Sequence, residues 1–222
     1  MNSIQKNLKA IQASIPKDVT LVAVSKTKPI SDILQAYETG QRIFGENKIQ
    51  EMTQKWEEMP KDILWHMIGH VQTNKVKYMA PYVDTIHAVD SLKLLKEINK
   101  QAQKHNRVIN CLLQVKIAEE ESKFGLSKED VLSLLTAEET KNLDHIKIQG
   151  LMGMATFTDD QKQIKNEFMK ISTFFDELKI TYPELKTLSI GMSGDYKTAI
   201  TCKSTMVRIG SSIFGARDYS NA

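Results

Sequence analysis

Apolar and polar positions change period repeatedly along this chain. The opening segment puts Ile4, Leu8, Ile11 and Ile15 at helical spacing, which predicts an amphipathic N-terminal helix. Short apolar runs then alternate with segments of helical period. Eight runs read as strands: Thr20–Ser25, Arg42–Gly45, Ile63–Gly69, Thr85–Ala88, Val108–Val115, Ile146–Met154, Thr187–Gly191 and Met206–Ile209. Between them lie helical stripes, such as Leu92, Leu95, Ile98 and Ala102, or Val131, Leu134 and Leu135. The longest stripe runs Ile164, Phe168, Ile171, Phe175 and Leu178.

Strand–helix alternation implies parallel strands joined by crossover helices. Eight such units in 222 residues predict an α/β fold, a single (β/α)8 TIM-type barrel over residues 1–222 with an extra N-terminal helix. A doubly wound open sheet is the competing arrangement. Its glycine-rich first turn is missing here, where the first strand runs into Ser25-Lys26-Thr27-Lys28-Pro29.

Composition narrows the function classes. The chain is 41% hydrophobic and 26% charged, the profile of a soluble globular protein. A net charge of +3 without a dense Lys/Arg block gives no nucleic-acid surface. No apolar stretch reaches the length of a membrane span, and the N-terminus lacks the apolar core of a signal peptide. Cys111 and Cys202 have neither metal-ligand spacing nor the makings of a disulfide framework. These features fit a cytoplasmic protein.

In a barrel of this kind, chemistry sits just past the C-terminal ends of the strands. Strand one delivers Lys26. A lysine leaving the core against apolar neighbours favours its neutral amine, which can attack a carbonyl and form a Schiff base. An ordinary solvated lysine has the same local sequence, as Lys28 is expected to be. Strand seven delivers Met192, Ser193 and Gly194, and strand eight delivers Gly210, Ser211 and Ser212. Small residues and hydroxyls let backbone N–H groups converge on phosphate oxygens, at the two strand ends where barrels often bind phosphate. Helix capping by Ser193 and Ser211 is the structural alternative. A reactive lysine and a phosphate cup on one barrel face suggest pyridoxal 5'-phosphate (PLP). Arg208, on strand eight, then lies beside the ring. Arginine has only donors, so a pyridine nitrogen facing it stays unprotonated.

Other groups carry less chemistry. His66 and His70 are four apart in a strand-like run, which separates them by more than ~13 Å at strand rise, so no metal site is expected. Trp65 and Met67 read as core, and Glu119-Glu120-Glu121 as a solvated loop. No hydrolase G-x-S-x-G occurs.

The motifs in order resemble those of the pyridoxal phosphate homeostasis proteins, the YggS/PROSC family, relatives of the alanine racemase N-terminal domain. They are Ala23-Val24-Ser25-Lys26-Thr27-Lys28, Phe44-Gly45-Glu46-Asn47, and the run from Trp65 to Lys75. Gly150-Leu151-Met152-Gly153-Met154, the run from Ser189 to Asp195, and the run from Val207 to Gly215 complete them. The resemblance implies that Lys26 forms the internal aldimine with PLP. It implies that Ser193, Gly210 and Ser211 hold the phosphate beside the Met192 backbone, that Arg208 faces the pyridine nitrogen, and that Asn47 lies next to the cofactor. Ser211 stands where the family often has threonine, which keeps the hydroxyl. Gly153 also stands where threonine is common, which puts any polar contact at that position in question. Lys123 matches a family lysine near the barrel mouth.

Two function classes follow. One is a non-enzymatic PLP carrier that buffers the cofactor or delivers it to PLP-dependent apoenzymes, acting as a monomer without membrane or nucleic-acid partners. The other is an amino-acid racemase, which needs a second acid–base group on the far face of the ring. In alanine racemases that group resembles a tyrosine from a separate C-terminal domain. Here the sequence runs out soon after Tyr219, so the carrier is favoured. A Schiff-base aldolase on the same fold would need no phosphate cup for a cofactor.

Overall fold

The structure is a computed structural model that describes residues 2–118 and 125–215. Lys123, the Glu119–Glu121 run and Tyr219 lie outside the described residues. The chain opens with helix α1 (Ser3–Ser14), strand β1 (Thr20–Val24), α2 (Ile30–Glu38), β2 (Ile43–Glu46), α3 (Ile49–Glu58) and β3 (Leu64–Met67). It continues with α4 (Val76–Met79), β4 (Val83–Val89), α5 (Leu92–Lys104), β5 (Ile109–Gln114), α6 (Lys128–Thr136) and α7 (Glu138–Lys141). Then come β6 (Ile146–Met152), α8 (Gln161–Thr181), β7 (Thr187–Met192), α9 (Tyr196–Thr201), β8 (Met206–Ile209) and α10 (Ser211–Phe214).

The eight strands pair in sequence order, all parallel, and β8 returns to β1 to close the barrel. At the closure Val22 lies opposite Arg208 and Ala23 opposite Ile209. Each strand reads as apolar because its outward face is covered by helices while its inward face fills the lumen. Leu8 of α1, Trp65, Phe168 of α8 and Leu188 are fully buried in the shared core. The extra helix α1 packs against α2 and α10 beside the β8–β1 closure, and Asn7 Nδ2 donates to the Ile213 carbonyl at 3.2 Å.

Local chemistry starts the helices where the sequence places their caps. Asn2 accepts from the Gln5 amide and Gln5 answers with a bond to the Asn2 amide, a capping box ahead of α1. Ser91, Ser127 and Asp160 cap α5, α6 and α8.

Several strand ends differ from the sequence reading. β3 stops at Met67, two residues short of the expected Gly69, because the chain turns there against β2's exit loop. A side chain at Gly69 would put its Cβ 2.4 Å from the Asn47 carbonyl, so only glycine permits this approach. His70 therefore lies in a loop and shares no strand face with His66, which corrects the geometry assumed for that pair. β6 ends at Met152 and releases Gly153 and Met154 into the loop before α8.

Candidate cofactor site at the barrel mouth

Strands β7, β8, β1 and β2 are consecutive staves of the barrel. The residues just past their C-terminal ends therefore meet on one side of one mouth. A cavity of ≈590 Å³ opens there, and its lining includes Lys26, Asn47, Met192, Ser193, Arg208, Gly210 and Ser211. Every candidate cofactor-binding residue named from the sequence lines this one space. Its size lies within the usual range for small-ligand pockets, about 300–1,000 Å³. Another cleft, of ≈710 Å³, follows α8 past Lys162, Asn166 and Lys170 and contains none of the seven.

Ser193 ties the two small-residue loops together. Its Oγ accepts the Gly210 amide at 3.1 Å and faces the Ser212 amide at 3.5 Å. A hydroxyl that accepts in this way keeps its proton for donation elsewhere. The loop takes this path because Gly191 adopts φ +98°, and a Cβ there would lie 2.6 Å from the Ala199 Cβ. A side chain at Gly194 would meet no atom within 4 Å, so that backbone faces open space. Ser211 and Ser212 begin α10, where the first amides have no intrahelical acceptor. The Met192 amide is already engaged, since it donates to Asp195 Oδ1 at 2.5 Å.

Lys26 is half-buried and leaves β1 on a loop held from both sides. Ser25 Oγ donates to Glu46 Oε1 at 2.6 Å, and the Thr27 amide donates to Glu51 Oε1 at 2.6 Å. Lys28, expected to be solvated, is also half-buried and lines the cavity. Val24, Ile68, Met154, Ile164 and Met192 give the cavity apolar walls.

Arg208 is buried at 4% exposure within β8. Its Nη1 donates to the Ser189 carbonyl at 2.8 Å and to Ser189 Oγ at 2.6 Å, and Nη2 donates to the Gly153 carbonyl at 3.1 Å. Burial lowers its pKa to about 10, opposed by the Asp195 carboxylate, so it remains a cation at neutral pH. The Gly153 position thus contributes its carbonyl, where a side-chain contact had been in question.

The sequence reading missed one wall. Met154 to Asp159, between β6 and α8, closes a side of the cavity. The buried Glu167 of α8 anchors this loop, accepting the Thr156 amide and hydroxyl at 2.7 Å each. Its signal in sequence was a polar turn ahead of the Asp160 cap, which marks a loop without saying where it folds.

A parallel barrel with a lysine past β1 and a serine–glycine cup past β7 and β8 defines the class of alanine-racemase-like barrels. The chain matches the family described as alanine racemase, N-terminal domain, over residues 1–218. The pyridoxal phosphate homeostasis protein of Haemophilus influenzae is 41% identical, with 99% of this chain and 98% of that protein covered. PipY of Synechococcus elongatus, solved with PLP bound, is 33% identical with a TM-score of 0.87, covering 96% of this chain and 100% of its own. Alanine racemase of Clostridium difficile shares the fold at 14% identity and a TM-score of 0.80, with 58% of its chain covered. This chain belongs to the pyridoxal phosphate homeostasis protein family, within the alanine racemase N-terminal domain family.

Proposed function

We propose that this chain binds pyridoxal 5'-phosphate at the barrel mouth, holds it covalently on Lys26, and buffers or delivers it without turnover of its own. The observation that carries the reading is that Lys26, Arg208 and the Ser193–Ser211 cup line one cavity. Support also comes from the family's name and from PipY, whose structure has PLP bound.

The donor set fits the group. Ser193 keeps a hydroxyl proton to donate to a phosphate oxygen, and the Ser211 hydroxyl and the first amides of α10 add donors beside it. Lys26, Lys28 and Arg208 outnumber the carboxylates of Asp159 and Asp195 in the lining, which suits a dianion. The apolar side chains of Val24, Ile68 and Met192 suit the faces of a flat ring. When bound, PLP supplies an aldehyde carbon that condenses with a neutral amine, releasing one water and leaving a Schiff base. Lys26 is the amine at the right strand end. Arg208 would donate toward the ring nitrogen of a bound PLP and keep it an acceptor, which would leave the ring a poor electron sink.

Racemisation would need proton-transfer groups on both faces of the ring. Among the described residues, the lining holds no tyrosine, histidine or cysteine. Besides Lys26 and Arg208, the titratable groups among the described lining residues that give the racemase reading a handle are Lys28, Asp159 and Asp195. The carrier reading also makes the protein a cytoplasmic monomer that hands PLP to apoenzymes. Incubating the PLP-loaded protein with L-alanine tests the choice. The carrier yields no D-isomer, and steady D-alanine formation overturns it.

A further inference from the structure

Five polar side chains run through the barrel from the half-buried Asp84 to Arg208, which also lines the cavity. His66 lies on β3, Asp84 and His87 on β4, Ser189 on β7 and Arg208 on β8. β4 and β7 are not neighbours, so the His87–Ser189 contact crosses the lumen. His66 Nε2 faces Asp84 Oδ2 at 3.5 Å, and His66 Nδ1 lies 2.9 Å from His87 Nε2. His87 Nδ1 lies 3.2 Å from Ser189 Oγ, which accepts from Arg208 Nη1 at 2.6 Å. His87 and Ser189 are wholly inaccessible, and His66 and Arg208 nearly so. Polar groups buried this deeply persist only when bonded.

We propose that Asp84, His66, His87 and Ser189 form a one-directional hydrogen-bonded chain that orients the Arg208 guanidinium and so sets its donation to the ligand, with His87 as the positioning residue. The inference rests on the reading that Arg208 faces the ring nitrogen. The two ends of the chain dictate its direction. Arg208 can only donate, so Ser189 Oγ must accept from it. Asp84 as a carboxylate can only accept, so His66 must present an N–H at Nε2. His66 Nδ1 then accepts from His87 Nε2–H, and His87 Nδ1 accepts the Ser189 hydroxyl proton.

A charged Asp84 and a neutral His87 agree with that assignment. Burial pulls the Asp84 carboxyl up, but bonds from His66, Thr85 and Asn110 prevail and hold it below the usual range. Burial, with His66 and Arg208 adding to it, holds His87 well below the ordinary histidine value, so its ring stays neutral. The Asp84 charge also acts on Arg107, ahead of β5, where it opposes the lowering by burial. With one proton on each ring, no second arrangement satisfies both ends.

Two measurements test the chain. In ligand-free protein labelled with [15N]histidine, two-bond 1H–15N spectra at neutral pH should show His66 and His87 each protonated on Nε2 alone. A proton on Nδ1 of either ring overturns the proposal. In PLP-loaded protein, Ser189→Ala and His87→Leu should weaken binding about tenfold and shift the absorption maximum of the bound cofactor. His87→Asn, whose amide oxygen replaces Nδ1 as acceptor, should restore both. Ser189→Ala with wild-type affinity and spectrum overturns the positioning role. If the wild type takes up no PLP, the functional reading fails, and the ring-proton spectra still decide the chain.

Discussion

Lys55 Nζ donates to the Ser25 carbonyl at 2.8 Å across a separation of 30 residues, one position before Lys26. The same ammonium meets Glu46 Oε1 at 2.8 Å and Glu51 Oε1 at 2.7 Å. Those carboxylates in turn hold the Ser25 hydroxyl and the Thr27 amide. Both neighbours of Lys26 therefore hang on one buried ionic cluster outside the cavity. The cluster also holds Thr27 at φ +63°, a conformation that a β-branched residue keeps only when its surroundings impose it.

Lys55→Met keeps most of the stem volume and removes the cation. Burial already pushes the Glu46 carboxyl up in pKa, and without Lys55 it loses the charge that opposes this. Removing one partner of a buried pair costs about 3 kcal/mol or more. For a chain of this size the melting temperature should fall by roughly 6–12 °C. PLP occupancy should fall with it, because the Lys26 loop loses its anchor. A melting temperature within a degree or two of wild type contradicts this account of the cluster.

Ser193→Ala removes the hydroxyl that accepts the Gly210 amide and would donate to phosphate. Loss of such a charge-assisted bond should weaken PLP binding by about tenfold to a hundredfold. Affinity for pyridoxal, which lacks the phosphate, should hardly change. Equal losses for both ligands, measured by equilibrium dialysis, would show that Ser193 acts on the fold and not on the phosphate.

Gly69→Ala should destabilise the barrel by about 1–3 kcal/mol, since its Cβ would meet the Asn47 backbone, which cannot swing aside as a side-chain end could. Asn47 would also move, so PLP affinity should fall together with the urea midpoint. A variant as stable as wild type would refute the close packing of these two loops.

His87 gives stability a pH dependence of definite sign. Its folded pKa is depressed by burial, so the unfolded chain binds more protons below the ordinary value near ~6.5. The contribution is fully present above that value and is lost as pH falls through it. Stability should drop by up to about 1.4 kcal/mol per pH unit from this group between roughly pH 6.5 and 5. Urea unfolding across that range should be less steep in pH for His87→Asn than for wild type. Parallel curves would place the proton elsewhere.

The strands and their order were legible because buried parallel strands write continuous apolar runs, and β8 at Met206–Ile209 falls where its run predicts. The site was legible where chemistry leaves unusual residues at strand ends, as with Lys26, Ser193 and Gly210. Lys28 misled, because its sequence neighbourhood is that of a solvated lysine and only the loop's path turns it toward the cavity. The His66–His87–Ser189–Arg208 contacts were not legible at all. They join residues up to 102 positions apart across the lumen, and each residue alone reads as an isolated polar group in a strand. The wall from Met154 to Asp159 was hidden for a related reason, since the buried Glu167 that anchors it reads as an ordinary surface position in α8.

The central claim is that Lys26 holds PLP covalently, and borohydride trapping with peptide mapping tests it most directly. Wild-type protein incubated with PLP should show an absorption band that borohydride bleaches, with one reduced pyridoxyl group mapping to Lys26. Lys26→Ala should show neither band nor label. A label on Lys28 or another lysine, or a band that survives in Lys26→Ala, would contradict the account.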